Sequence, residues 1–242
     1  MAKNHARMAH TPRMSHLMPL IMAIVGIMLP STIAAQKHYQ SNFSIGAKAG
    51  ATISRMEFSP GVKQSMVTGF MAGVMCRYME ETHFGVIAEL NIEQRGWKEN
   101  FEEHPFSYER RLTYLQLPLL THIYFGSRKF KGFVNLGPEI GYMIADGIKS
   151  NFNYRNPAAV SGFPIANRMT EQMSMEISNR FDYGISAGAG IEYKPVRRHA
   201  VSLEGRFYYG LGNIYPSNKR DTFAASRGIS IMVSLGYWFR LK

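Results

Sequence analysis

The sequence predicts an all-β protein, an eight-stranded antiparallel up-and-down transmembrane β-barrel behind a cleaved N-terminal signal peptide. Three observations predict it. Apolar residues recur at every second position through eight runs, which is the period of a strand with one greasy face. The connections between the runs alternate short and long. Beside each short connection or terminus, seven of the eight runs carry an aromatic on the apolar face.

The chain opens with Lys3, Arg7 and Arg13, then the apolar run LMPLIMAIVGIMLP from Leu17 to Pro30, then STIAAQ. That is the basic, apolar and small-residue order of a secretory signal peptide. The run is short for a spanning helix, which takes about 20 residues. Cleavage is expected after Ala35, with Ala34 as the alternative, so residues 1–35 form the signal and 36–242 the barrel domain. The whole chain carries +11, and the mature part keeps 25 basic against 17 acidic residues, or +8. A basic exported protein meets no nucleic acid, so outer-membrane lipid or lipopolysaccharide is its expected counter-charge. The one cysteine, Cys76, cannot close an internal disulfide and reads as a small apolar strand residue.

The runs follow in order. The first places Phe43, Ile45, Ala47, Ala49, Ala51 and Ile53 on one face, against Ser44, Lys48 and Thr52. The second sets Phe70, Ala72, Val74, Cys76 and Tyr78 against Met71, Met75, Arg77 and Met79. The third sets Phe84, Val86, Ala88, Leu90 and Ile92 against Glu89, Asn91, Glu93 and Arg95. In the fourth, Leu115 to Phe125 alternate with Tyr114, Gln116, His122 and Tyr124. The fifth opposes Val134, Leu136, Ile140 and Tyr142 to Asn135, Glu139 and Met143.

The sixth, FDYGISAGAGIEY at 181–193, invites a phosphate-loop reading. Its glycines are spaced G-x-x-x-G-x-G, and Ile191, Glu192 and Tyr193 continue an alternation where a dinucleotide fold would start a helix. The seventh opposes Val201, Leu203, Phe207 and Tyr209 to Ser202, Glu204, Arg206 and Tyr208; the eighth opposes Ile229 to Phe239 to Ser230, Met232, Ser234, Trp238 and Arg240.

Short connections fall near 80–83, 126–129 and 194–199, and long ones near 54–65, 96–111, 145–180 and 212–226. Short periplasmic turns and long external loops mark an outer-membrane barrel in a Gram-negative envelope. The short-turn ends carry Phe43, Tyr78, Phe84, Phe125, Phe130, Tyr193 and Phe239, an expected aromatic girdle.

By parity Lys48, Arg77, Arg95 and Arg206 point inward with Glu89, Glu93, Glu139, Asp182, Glu192 and Glu204. A bore of eight strands holds side chains and little else, so a structural charge network is expected in place of a channel. No catalytic, cofactor or metal site is expected. His104 near Glu102 and Glu103 is the nearest thing to one, and it lacks a second histidine at ligand spacing. The aperiodic stretch 145–180 carries Phe152, Tyr154, Phe163, Met169, Met173 and Met175, residue types suited to contacting another protein, with lipid shielding or simple disorder as equal alternatives.

Four segments in order, Tyr114-Leu115-Gln116-Leu117-Pro118-Leu119-Leu120, Asn135-Leu136-Gly137-Pro138-Glu139-Ile140-Gly141, the glycine-rich Tyr183–Tyr193, and Leu235-Gly236-Tyr237-Trp238-Phe239, resemble the PorT family of outer-membrane β-barrels from Bacteroidetes. The likeness spans roughly residues 40–242. It implies a non-enzymatic component or assembly factor of the type IX secretion system, which exports proteinases such as gingipains, with other secretion-system proteins as partners; the alternative is a structural or adhesive surface barrel, or a small outer-membrane barrel enzyme or lipid-ligand binder. The family has no known catalytic motif, so the resemblance carries over no site residues.

Overall fold

The structure, a computed structural model, describes residues 42–80, 83–102, 104–166 and 168–241. The expected signal peptide with its cleavage site, and Glu103, lie outside the described residues. Nine strands form: β1 (Asn42–Ser59), β2 (Gln64–Ser65), β3 (Val67–Met79), β4 (Phe84–Glu99), β5 (Tyr108–Gly126), β6 (Phe130–Ser150), β7 (Phe181–Val196), β8 (His199–Gly210) and β9 (Ala225–Arg240). Eight are long, and β2 is a two-residue fragment beside the outer end of β4.

Each long strand pairs antiparallel with its neighbours in the chain. β1 also pairs with β9, from Ser44↔Arg240 to Ser59↔Ala225, which closes the ring. Closure satisfies every ladder internally, a requirement wherever hydrocarbon replaces water. The parity read from the sequence is the parity observed. Ile45, Val74, Leu90, Leu119, Leu136, Ile185, Leu203 and Leu235 face out, and their partners in the alternation are buried in the bore.

The strands run further than the sequence shows. β5 has 19 residues and β6 has 21, where a tilted span needs about 9–11. Two of the expected long connections, 54–65 and 96–111, are partly strand, because alternation continues there with its sign reversed. Beyond Ile53 the outward residues of β1 become Arg55 and Glu57, while the inward ones become Met56 and Phe58. β5 makes the same exchange, with Arg111 and Glu109 outside and Leu112 and Tyr108 buried. The outer wall is in lipid below this level and in water above it.

A bulge helps build the upper part. Tyr114 pairs with Met143 and Thr113 with Ala145, so Ile144 is the extra residue in β6. Bulges re-aim the residues that follow them, and this one brings Asp146 into register with Leu112 and within reach of Arg110. The connection expected at 145–180 therefore starts at 151. It carries a 3-10 turn at Pro157–Ala159 and one helical turn, α1 (Glu171–Ser174).

The glycines of β7 are required by close approach. A Cβ on Gly184 would sit 2.2 Å from the Tyr209 carbonyl oxygen and 2.8 Å from the Tyr208 ring; one on Gly190 would sit 2.4 Å from the Phe133 ring. Gly205 meets nothing within 4 Å. Gly184→Ala and Gly190→Ala should each lower stability by about 1–3 kcal/mol, read as the urea midpoint of the heat-modifiable gel shift. Gly205→Ala should leave the midpoint unchanged.

Candidate functional site

Three assemblies of polar side chains fill the bore from one end to the other. At mid-height Lys48 Nζ lies 2.5 Å from Glu89, and Arg206 grips the same carboxylate with two bonds of 2.7 and 2.8 Å. Arg206 also bonds Glu204 at 2.9 Å; Asn135 donates to Glu204 at 2.7 Å and meets His122 through its own carbonyl oxygen. Outward of this, Arg95 is shared by Asp182 at 3.2 Å, Glu93 at 3.4 Å and Glu139 at 3.9 Å. Its guanidinium lies between the rings of Tyr114 and Tyr208, 4.4 and 4.2 Å from their centroids. Toward the periplasm Arg77 pairs with Glu192 and covers Trp238 at 4.3 Å.

All ten charged residues assigned to the bore are therefore in it and in contact. Charge-assisted bonds of this kind are the strong ones, and an ionised group left alone at these depths costs several kcal/mol. Pairing follows from the closed barrel. The central void is about 10 Å³, room for about one water.

The seven aromatics Phe43, Tyr78, Phe84, Phe125, Phe130, Tyr193 and Phe239 all sit on the outer wall at the short-turn end. Phe43 is opposite Tyr78, and Phe130 stacks on Tyr193 at 4.7 Å.

Above the membrane the strand extensions and loops fold into a cap with a core of its own. Met56, Phe58, Trp97, Tyr108, Leu112 and Tyr114 from the wall pack with Phe101, Met173, Ile214, Tyr215 and Phe223 from the loops. Phe101, Phe106, Phe152 and Phe163 form a second aromatic group at ring separations of 5.2–6.0 Å. The aromatics and methionines of 145–180 thus pack against this molecule: Met173 is buried, and Phe152, Tyr154, Phe163, Met169 and Met175 are half-buried against the same core.

Four bonds latch the segment around α1 to the wall, and a fifth, from Tyr215, ties it to the β8–β9 loop. Tyr108 donates to the Met173 carbonyl at 2.8 Å and Tyr215 to that of Gln172 at 2.8 Å. Arg110 donates to the Met175 carbonyl at 2.7 Å while its fork holds Asp146. Gln172 and Arg168 reach Glu99 at 3.0 and 3.3 Å. Burial pushes the Tyr108 and Tyr215 hydroxyls well above the usual tyrosine range, so they remain protonated donors. Burial also raises the Glu99 carboxyl to about 7, against the opposing pull of Gln172 and Arg168.

His104 is exposed, on the loop between β4 and β5. His122 is buried in the bore, stacked on Tyr124. Among the described residues no cluster of three His, Cys, Asp or Glu could hold a metal. The latch residues Glu99, Arg110, Asp146, Arg168, Gln172 and Tyr215 were not singled out by sequence. The reversed alternation in Arg55-Met56-Glu57-Phe58 is the signal that marks the cap.

Two outcomes follow. Arg206→Met should destabilise the barrel by about 3–5 kcal/mol, because it leaves two buried carboxylates, Glu89 and Glu204, to share the single cation Lys48; adding Glu89→Gln should recover part of that in the same urea titration. Glu99 gives the cap a pH dependence. Its carboxyl rises from 4.5 to about 7 on folding, so the folded state holds the extra proton and stability falls as pH rises through that window. The loss is at most about 3 kcal/mol, seen as faster hydrogen exchange at 168–175 at pH 8 than at pH 5 after intrinsic correction. Glu99→Gln should flatten the difference.

No curated protein sequence matches the chain. Among solved structures, OprG from Pseudomonas aeruginosa superposes with a TM-score of 0.50 at 13% identity, covering 85% of this chain and 99% of that one. Neisserial surface protein A gives 0.43 at 11%, covering 82% and 98%. Ail of Yersinia pestis, solved in complex with the heparin analogue sucrose octasulfate, gives 0.39 at 13%, covering 81% and 99%. A family model described as an outer membrane protein beta-barrel domain matches residues 34–215. With its ring closed and its apolar wall turned outward, the chain belongs to that family and is a protein of the outer membrane.

Proposed function

We propose that this barrel works through its surfaces, as a non-enzymatic component or assembly factor of the type IX secretion system. The observation that carries the reading is the filled bore. A lumen occupied by four cations shared among six carboxylates, with a central void of about 10 Å³, passes no protein cargo and no stream of solute. What the molecule offers is its cap, its short-turn face and its wall. The PorT-like segments at 114–120, 135–141, 183–193 and 235–239 support the secretion role and a Bacteroidetes origin. In this reading the luminal charges are structural filling and the seven aromatics an interfacial girdle. Outer-membrane lipid or lipopolysaccharide is the surrounding partner, with Arg55, Lys98 and Arg111 exposed on the outer wall above the apolar band.

The folded cap favours a second reading, a structural or adhesive surface barrel. A core built from both strand extensions and loops gives a fixed outer surface of the kind an adhesin presents.

Deleting the gene separates the two. Lost secretion of many cargo proteins with an intact membrane supports the secretion role, and normal secretion with reduced surface attachment transfers the function to the cap. His104→Ala with Glu103→Gln should secrete normally; a defect there would bring an enzymatic role back. In planar bilayers the purified barrel should show no conductance steps.

A further inference from the structure

The periplasmic mouth gathers a cluster of cations around one carboxylate. Arg77, Lys131, Lys194, Arg198 and Arg240 line one cleft there, with Glu192 as the carboxylate among its lining residues. Arg77 already takes Glu192. Lys131 sits over the Tyr124 ring, 4.0 Å from its centroid. Among the described residues neither Lys194 nor Arg198 forms an ion pair with a carboxylate. Partial burial, and next the charge of Arg240, hold the Lys194 amine below the usual lysine range.

Lys194 and Arg198 come from one basic stretch, 194–198, at the β7–β8 turn, and the fold adds Arg77 from β3, Lys131 from β6 and Arg240 from β9 to it. Like charges held together in a half-buried mouth repel, and an arriving anion relieves that repulsion. The free space is about 10 Å³, which admits the end of one oxyanion group and not a whole molecule.

Orientation narrows the source. Lys131 is in register with Glu192, and Arg240 with Ser44, on the bore side of the wall. Phe130, Tyr193 and Phe239 occupy the alternate positions beside them, between the cleft and the lipid. A phosphate whose acyl chains lie outside the wall must climb over those rings. A side chain arriving along the barrel axis meets the cations directly.

We propose that the periplasmic mouth is an oxyanion-binding site that takes a carboxylate from an acidic segment of a periplasmic protein. The site stands whether or not the protein serves secretion.

The test uses the full barrel in neutral detergent micelles at low ionic strength, with a fluorescein-labelled oligoglutamate peptide read by anisotropy and an oligoglutamine peptide as control. Lys194→Gln with Arg198→Gln should weaken glutamate binding about tenfold. Arg55→Gln with Arg111→Gln, at the opposite end, should change it by less than about twofold. Inorganic phosphate should compete. Glu192→Gln, which removes the competing carboxylate, should tighten binding; the heat-modifiable gel shift confirms that each variant has folded. Equal loss from both pairs of substitutions, or no preference for glutamate over glutamine, overturns the site. Retention on anionic phospholipid vesicles without any affinity for the peptide overturns the protein ligand.

Discussion

One constraint governs this molecule: the medium outside the wall changes from hydrocarbon to water partway up the strands. Below that level apolar side chains gain nothing by facing inward, so they face lipid and the polar half of the alternation must satisfy itself in the bore. Above it the ordinary hydrophobic effect returns and the same strands turn their apolar residues inward. β1 shows both regimes in one element, with Ile53 out and Thr52 in, then Glu57 out and Phe58 in. The luminal ion network and the cap core are one chain's answers to two solvents.

The bore and the cap differ in what holds them. Arg206 and Arg95 each serve several carboxylates in a tightly filled space, so removing either one leaves several buried carboxylates short of positive charge. The cap spreads its stability over many aromatic contacts and a few latching bonds, and tolerates single losses better. Among the described residues of the cap, Glu99 is the buried carboxyl that burial raises to about 7.

The barrel was legible because its signal is local. Each of the eight runs states its own two faces, and glycines such as Gly184 and Gly190 fall where neighbouring strands crowd them. The luminal charges could be named for the same reason, since parity alone places Glu89 and Arg206 inside. Which of them meet could not be read, because Arg77 and Glu192 lie 115 residues apart and pair only through the register of a closed ring. The cap stayed hidden for two reasons. Its alternation has the reversed sign, so Met56 and Phe58 look like the end of a strand. The bulge at Ile144 also shifts parity, which hides Asp146 as the partner of Arg110. Between 151 and 180 there is no period to follow at all.

The seam between β1 and β9 sets an order of assembly. Met56 and Phe58 belong to the first strand, while Ile214, Tyr215 and Phe223 come from the last long loop. Those residues meet only when the two ends of the chain have been stitched together, so the external dome cannot mature on a partly inserted intermediate. A protease or antibody that recognises the finished dome would count sealed molecules alone, and the cell surface would display a record of which copies had completed insertion.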